Sequence, residues 1–231
     1  MATETLGVVL FGDVVRSRRR PRKASDWLER LTAELDEAFG DTKLAGFEFT
    51  QGDELQGLLR PDADPLTAVL TAALRPSDEA PAMRWAIVAG HVLPGRGPAT
   101  KRTGPAFITA RETIELARRQ RDTLLMFTGD PHTDRLLAGT APVLGSLLTR
   151  LTERQREVAR LGLLDGLRQS EIADRLGVAR ATISVASARA DVRSLARLSG
   201  AVRGLWSEGL LRRMADAPGH SEGEAPGHSD G

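Results

Sequence analysis

Apolar residues follow two rhythms in the first half of this chain. Leu6 to Phe11 is a short unbroken apolar run, as in a buried strand. From about Ser25 to Phe39, Trp27, Leu28, Leu31, Leu35 and Phe39 recur at helical spacing, with Ser25 as the expected N-cap. Phe47-Glu48-Phe49-Thr50 alternates as a strand does. Gln51-Gly52-Asp53-Glu54 supplies a turn, and Leu55 to Arg60 returns as the second arm of a hairpin. Asp64 to Leu74 predicts a helix and Met83 to Val92 a longer strand. Leu93 to Thr103, rich in Gly and Pro, is a loop. Pro105 to Arg119 is a helix with proline in its first turn, and Leu124 to Thr128 a closing strand. The order is β-α-β-β-α-β-α-β, and its first six elements have the order of the ferredoxin-like, or palm, topology.

The second half is helical throughout. Asp130 to Arg150 predicts a helical connector. Leu151 to Val158 opens the next helix, with Thr152 as candidate N-cap and Glu153 in the first turn, where the helix dipole favours an acid. Gln169 to Ser184 reads as two short helices joined by a tight turn. Ile172, Ala173 and Leu176 form the inner face of the first, and Gly177 stands where that helix must end. Ala173 is small enough for two helices to cross closely, while Val178 and Ile183 plug the core beneath the turn. The arrangement is a helix-turn-helix, whose partner is double-stranded DNA. Gln169, Ser170, Arg180, Ala181, Thr182, Ser184 and Arg189 are the candidate contacts to phosphates and base edges. The expected fold class is thus α+β. A ferredoxin-like palm (βαββαβ) covers residues 1–130, a connector 131–148, and an all-α helix-turn-helix domain 149–212.

Composition adds bounds. The chain has 231 residues, room for two domains, and 41% hydrophobic residues, enough for packed cores. It has no cysteine, which excludes disulfides and thiolate metal sites. No apolar run reaches the roughly 20 residues of a membrane span, and no signal-peptide pattern opens the chain, so a cytoplasmic protein is expected. Residues 213–231 hold the near repeat Ala217-Pro218-Gly219-His220-Ser221 and Ala225-Pro226-Gly227-His228-Ser229. This composition predicts a disordered tail, its histidines either solubilising or weakly metal-binding. Net charge is +1 overall, yet Leu151 to Arg203 carries ten arginines against six acids. That modest surplus favours polyanions but is small for one copy. A homodimer reading two half-sites is expected, with Leu195, Leu198, Val202, Leu205 and Leu210 of a last helix as a dimer seam.

The palm topology places Asp13, ending the first strand, against Asp53 at the neighbouring hairpin. Two carboxylates so placed repel unless a cation lies between them, and hard oxygen ligands suit Mg²⁺ with substrate phosphates. Asp13 and Asp53 are candidate metal ligands, or else ordinary turn and cap aspartates. Gly12, Arg16, Ser17, Gly52, Glu54 and Arg111 are candidate nucleotide-phosphate contacts. Glu54 is equally readable as a solvated hairpin residue, and Arg111 as a surface partner of Glu115 at i+4. Lys101 and Arg102 are placed to close over a ligand as a lid.

Leu151-Thr152-Glu153-Arg154-Gln155-Arg156-Glu157-Val158, followed by Gln169-Ser170-Glu171-Ile172-Ala173-Asp174-Arg175-Leu176-Gly177-Val178, resembles the LuxR-type and sigma-factor region-four DNA-binding domains. Phe11-Gly12-Asp13-Val14-Val15-Arg16-Ser17 and Gly52-Asp53-Glu54-Leu55 resemble motifs of class III nucleotidyl cyclases and GGDEF diguanylate cyclases, in which such aspartates hold two metals. With Phe49 to Leu59 and Gly104-Pro105-Ala106-Phe107 before Ala110-Arg111-Glu112, the pattern is closer to the SatD family of small bacterial proteins. The chain departs from working cyclases at Phe49, Gln51 and Phe107, where those enzymes carry base-reading, ribose-orienting or glycine residues. The resemblances imply a DNA-binding transcriptional regulator whose palm binds a purine nucleotide, ATP or GTP, with Mg²⁺ and does not necessarily turn it over. The alternative is a divergent nucleotidyl cyclase or nucleoside triphosphatase with a DNA-targeting tail.

Overall fold

The computed structural model describes residues 4–15, 21–50, 54–75 and 81–215, with the backbone alone for 21–25. The palm elements are β1 (Thr5–Val14), α1 (Pro21–Phe39), β2 (Lys43–Phe49), β3 (Glu54–Leu59), α2 (Leu66–Ala73), β4 (Met83–Val92), α3 (Pro105–Gln120) and β5 (Leu124–Phe127). The sheet runs β2-β3-β1-β4-β5. β1 lies antiparallel between β3 and β4, β2 antiparallel to β3, and β5 parallel to β4. The first four strands form the split βαβ palm, and the crossover through α3 adds the fifth. Because α1 begins at Pro21, Ser25 lies inside the helix and is not its cap.

β1 is buried on both faces, which explains its unbroken apolar run. Strand periodicity sorts its side chains. Val8, Leu10 and Val14 join a large core with α1, α2 and the C-terminal helices, whereas Val9 and Phe11 pack under α3 with Ala106, Phe107, Ala110 and Ile114. Asp13 shares the parity of Phe11 and so faces α3. The segment 93–103 is no free lid. Its 3-10 turn at Ala99–Lys101 buries Ala99, Thr100 donates its hydroxyl hydrogen to Glu48, and Arg102 Nη1 reaches the Leu44 carbonyl at 3.5 Å.

Among the described residues five helices follow: α4 (Pro131–Thr149), α5 (Glu153–Leu163), α6 (Gln169–Leu176), α7 (Arg180–Arg189) and α8 (Val192–Ala215). Asp130 caps α4, its Oδ1 accepting from Thr133 N at 2.9 Å and Thr133 Oγ1 at 2.6 Å. α4 packs on β5 and α8. Leu137, Ala141, Leu144 and Leu148 meet Leu195, Val202, Trp206 and Leu210 in the same core as the sheet. Leu198 and Leu205 lie partly buried against it. Leu195, Val202 and Leu210, expected to form a dimer seam, are therefore covered inside one chain. Close approach makes this packing possible: a Cβ on Gly209 would stand 2.5 Å from Thr128 Oγ1. Val158, Leu161, Ile172, Ala173 and Ile183 form a separate small core under α5–α7.

Polar contacts tie the helices to the palm. Glu34 of α1 accepts from both Arg75 and Arg160 of α5, and Arg203 of α8 donates to Asp64 at 2.6 Å. Arg213 Nη1 donates to the carbonyls of Ala89 and Thr128 at 2.7 and 2.8 Å. No helix among the described residues is long and apolar enough to cross a membrane.

Candidate functional site

Local chemistry builds the helix-turn-helix. Thr152 and Gln155 form a capping box at the start of α5: Thr152 Oγ1 accepts from Gln155 N, and Gln155 Oε1 accepts from Thr152 N at 2.8 Å. At the start of α6, Arg168 N donates to the Glu171 carboxylate at 2.6 Å. Gly177 ends α6 at φ +62°, a left-handed conformation that costs glycine nothing, and Val178 N bonds back to the Ala173 carbonyl at 3.0 Å. The chain then turns into α7 with Ile183 fully buried beneath. Gln169, Ser170, Arg180, Ala181, Thr182, Ser184 and Arg189 all emerge exposed, on the outer sides of α6 and α7. Val185, absent from the sequence-derived set, is half exposed in their midst.

The palm carboxylates tell a different story. Strand register sets Glu54, Asp13 and Arg84 side by side on β3, β1 and β4. Asp13 is 6% exposed and Glu54 7%. Asp13 Oδ1 accepts from Arg118 Nη2 at 2.8 Å. Its Oδ2 accepts from Arg84 Nη1 at 2.8 Å and Arg118 Nε at 3.1 Å. Arg84 Nε is itself held by the Asp122 carbonyl at 3.1 Å. Glu54 Oε1 accepts from Gln56 Nε2 at 2.8 Å and Oε2 from Arg111, whose guanidinium stacks 4.7 Å over the Phe11 ring. The Asp13 hydrogen bond holds the Arg118 guanidinium well above its ordinary pKa, against the opposing effect of burial.

This arrangement corrects several expectations. Glu54 is a buried acid, not a solvated hairpin residue. Arg111 pairs with Glu54, while Glu115 pairs with Arg118 instead. Gly12 has a packing reason to be glycine: a Cβ there would meet Met83 Cε at 2.8 Å and the Trp85 ring at 3.0 Å, on the sheet face away from α3. Arg16, Ser17, Gly52 and Asp53 lie outside the described residues. Of the two expected Mg²⁺ ligands only Asp13 is described, and both of its oxygens, like both of Glu54, already accept from guanidinium or amide donors. Among the described residues, no group of three or more His, Cys, Asp or Glu could hold a metal ion.

Arg84 and Arg118 escaped the sequence reading. Arg84 could be found only through the register that sets it opposite Asp13. Arg118 had a signal: it follows Arg111 by seven residues, on the same face of a predicted helix.

No curated protein sequence matches this chain. Among solved structures, a bacterial light-regulated adenylyl cyclase is similar at 14% identity and a TM-score of 0.39, over 55% of this chain and 44% of that one. A guanylyl cyclase is similar at 13% identity and 0.34, over 50% and 72%. This chain thus spans less than half the length of the light-regulated adenylyl cyclase, and likeness at this level carries no argument about activity. Residues 147–192, from the end of α4 to the start of α8, match the family Sigma-70, region 4, so the helix-turn-helix seen here is similar to that family's.

Proposed function

We propose that this protein is a DNA-binding transcriptional regulator: α6 and α7 bind double-stranded DNA, and the palm senses a purine nucleotide that controls that binding. The observation that carries the DNA half is the exposed surface of α6 and α7, with its arginines and hydroxyl side chains, raised on its own small core within the stretch that matches Sigma-70, region 4. Arginines and short hydroxyl side chains suit phosphate and base-edge contacts. A modest basic surplus supports two copies on two half-sites.

The nucleotide half is supported by Arg111 and Arg118. Both stand partly exposed on α3 over buried acids, where a phosphate can exchange for a carboxylate partner. A nucleotide held through these guanidinium groups needs no metal on Asp13 or Glu54, whose oxygens are already engaged. A nucleotide regulates only if it binds the DNA-competent and DNA-incompetent arrangements with different affinity.

The test is selection of double-stranded DNA from a random library by the full chain, then its affinity with and without ATP or GTP. Titration of each nucleotide, with and without Mg²⁺, accompanies it. Selective DNA binding that shifts with one nucleotide, without turnover, supports both halves. Turnover of ATP or GTP would replace the sensor by an enzyme with a DNA-targeting tail.

A further inference from the structure

The outward face of α7 has an apolar centre. At 100° per residue, its exposed arc runs from Arg180 through Ser184, Ala188, Ala181 and Val185 to Arg189 and Thr182, with Ile183 and Ser187 buried on the opposite side. The polar and cationic side chains therefore flank the arc, and its middle holds Ala188, Ala181 and Val185. Val185 is the largest of these and is 50% exposed. A groove lined by Thr152, Arg154, Gln155, Thr182, Val185 and Arg189 runs beside it, between the start of α5 and α7. Val185 makes no contribution to the small core under the turn, which is closed by Val158, Leu161, Ile172, Ala173 and Ile183. The small core under the turn thus gives no reason for a β-branched apolar residue at this position.

We infer that Val185 is a specificity-determining residue: it contacts a thymine methyl group in the DNA major groove, with Ala181 beside it. This rests on the DNA-binding reading of α6 and α7 and names what the centre of α7 reads. The chemistry is restrictive. An apolar side chain offers no hydrogen bond to any base edge, and the C5-methyl of thymine is the apolar group the major groove displays. Arg180 on one flank and Arg189 on the other carry the charge that complements phosphates on the two groove walls. A helix seated in this way brings its central side chains to the bases. Thr182 and Ser184 are left to bond polar base atoms or phosphates on either side.

The experiment uses the full chain and the DNA sequence that it selects from a random library. Each thymine of the selected site is replaced in turn by deoxyuridine, which removes the methyl group and nothing else. Loss of one buried methyl contact lowers affinity by about fourfold, and this loss is expected at one thymine in each half-site. In Val185→Ala the same replacement is expected to change affinity by less than about twofold. Val185→Ala should unfold at the temperature of the unmodified chain, since the residue is half exposed. An undiminished deoxyuridine penalty in Val185→Ala, or no penalty at any thymine, overturns the assignment to Val185. Failure to select any sequence at all overturns the DNA-binding reading itself, and so is a distinct result.

Discussion

Arg118 grips Asp13 with two parallel hydrogen bonds, Nη2 to Oδ1 at 2.8 Å and Nε to Oδ2 at 3.1 Å, although 105 positions separate them in the chain. This bidentate pair, completed by Arg84, occupies both oxygens of the palm carboxylate. An acid held by two guanidinium groups stabilises the fold in the form it already has.

Removing that acid should therefore be costly. Asp13→Ala leaves Arg84, whose side chain is 14% exposed, as a buried cation without its partner, and should destabilise by about 3 kcal/mol. Urea unfolding followed by the fluorescence of the buried Trp27, Trp85 and Trp206 measures it. If Asp13 were a metal ligand repelled by a neighbouring acid, its loss in metal-free buffer would instead raise stability.

The α8 face makes a prediction about assembly. Leu195 is 2% exposed within the core shared with α4 and the sheet. Leu195→Ala should cost about 3 kcal/mol in denaturant unfolding and leave the sedimentation coefficient of the folded protein unchanged. A change of oligomeric state without loss of stability would put the face back between copies.

On DNA, Arg180 and Arg189 should act through phosphates and not through sequence. Replacing either by Ala should weaken binding to all sequences alike and reduce the slope of log affinity against log salt by about 1. Fluorescence anisotropy at four salt concentrations gives the slope. A loss confined to one base position would make the residue a base reader.

Asp130 should give the protein an acid-dependent component of stability. Hydrogen bonds from the Thr133 hydroxyl, then from its backbone N–H, lower the Asp130 pKa below its usual 3.8. The unfolded chain therefore binds the proton first as pH falls. The contribution is fully present above the usual value and is lost as pH drops through the folded one. Asp130→Asn keeps a capping oxygen and removes the titration. Thermal midpoints of the two proteins, measured from pH 6 to pH 2.5, should converge at the acid end.

The sequence by itself determined what depends on neighbours in the chain. The palm element order, the strand over Met83–Val92, the α5 cap at Thr152 and the turn at Gly177 were all legible, because periodicity, capping and left-handed glycine are local properties. The surface of α6 and α7 was legible for the same reason: burying Ile172, Ala173 and Ile183 leaves only one side outward. Val185 carries no polar group, so it fell outside a set chosen for contacts to phosphates and base edges, although it stands half exposed. Tertiary structure alone decided the rest. The parity of β1 turns Asp13 toward α3, but only sheet register sets Arg84 beside it, and only the docking of α3 brings Arg118 over it. The apolar stripe of α8 announced that it must be covered and could not say by what. A helix face carries the demand for burial, and the partner that meets it, here α4 and the palm core, is set by how distant segments pack.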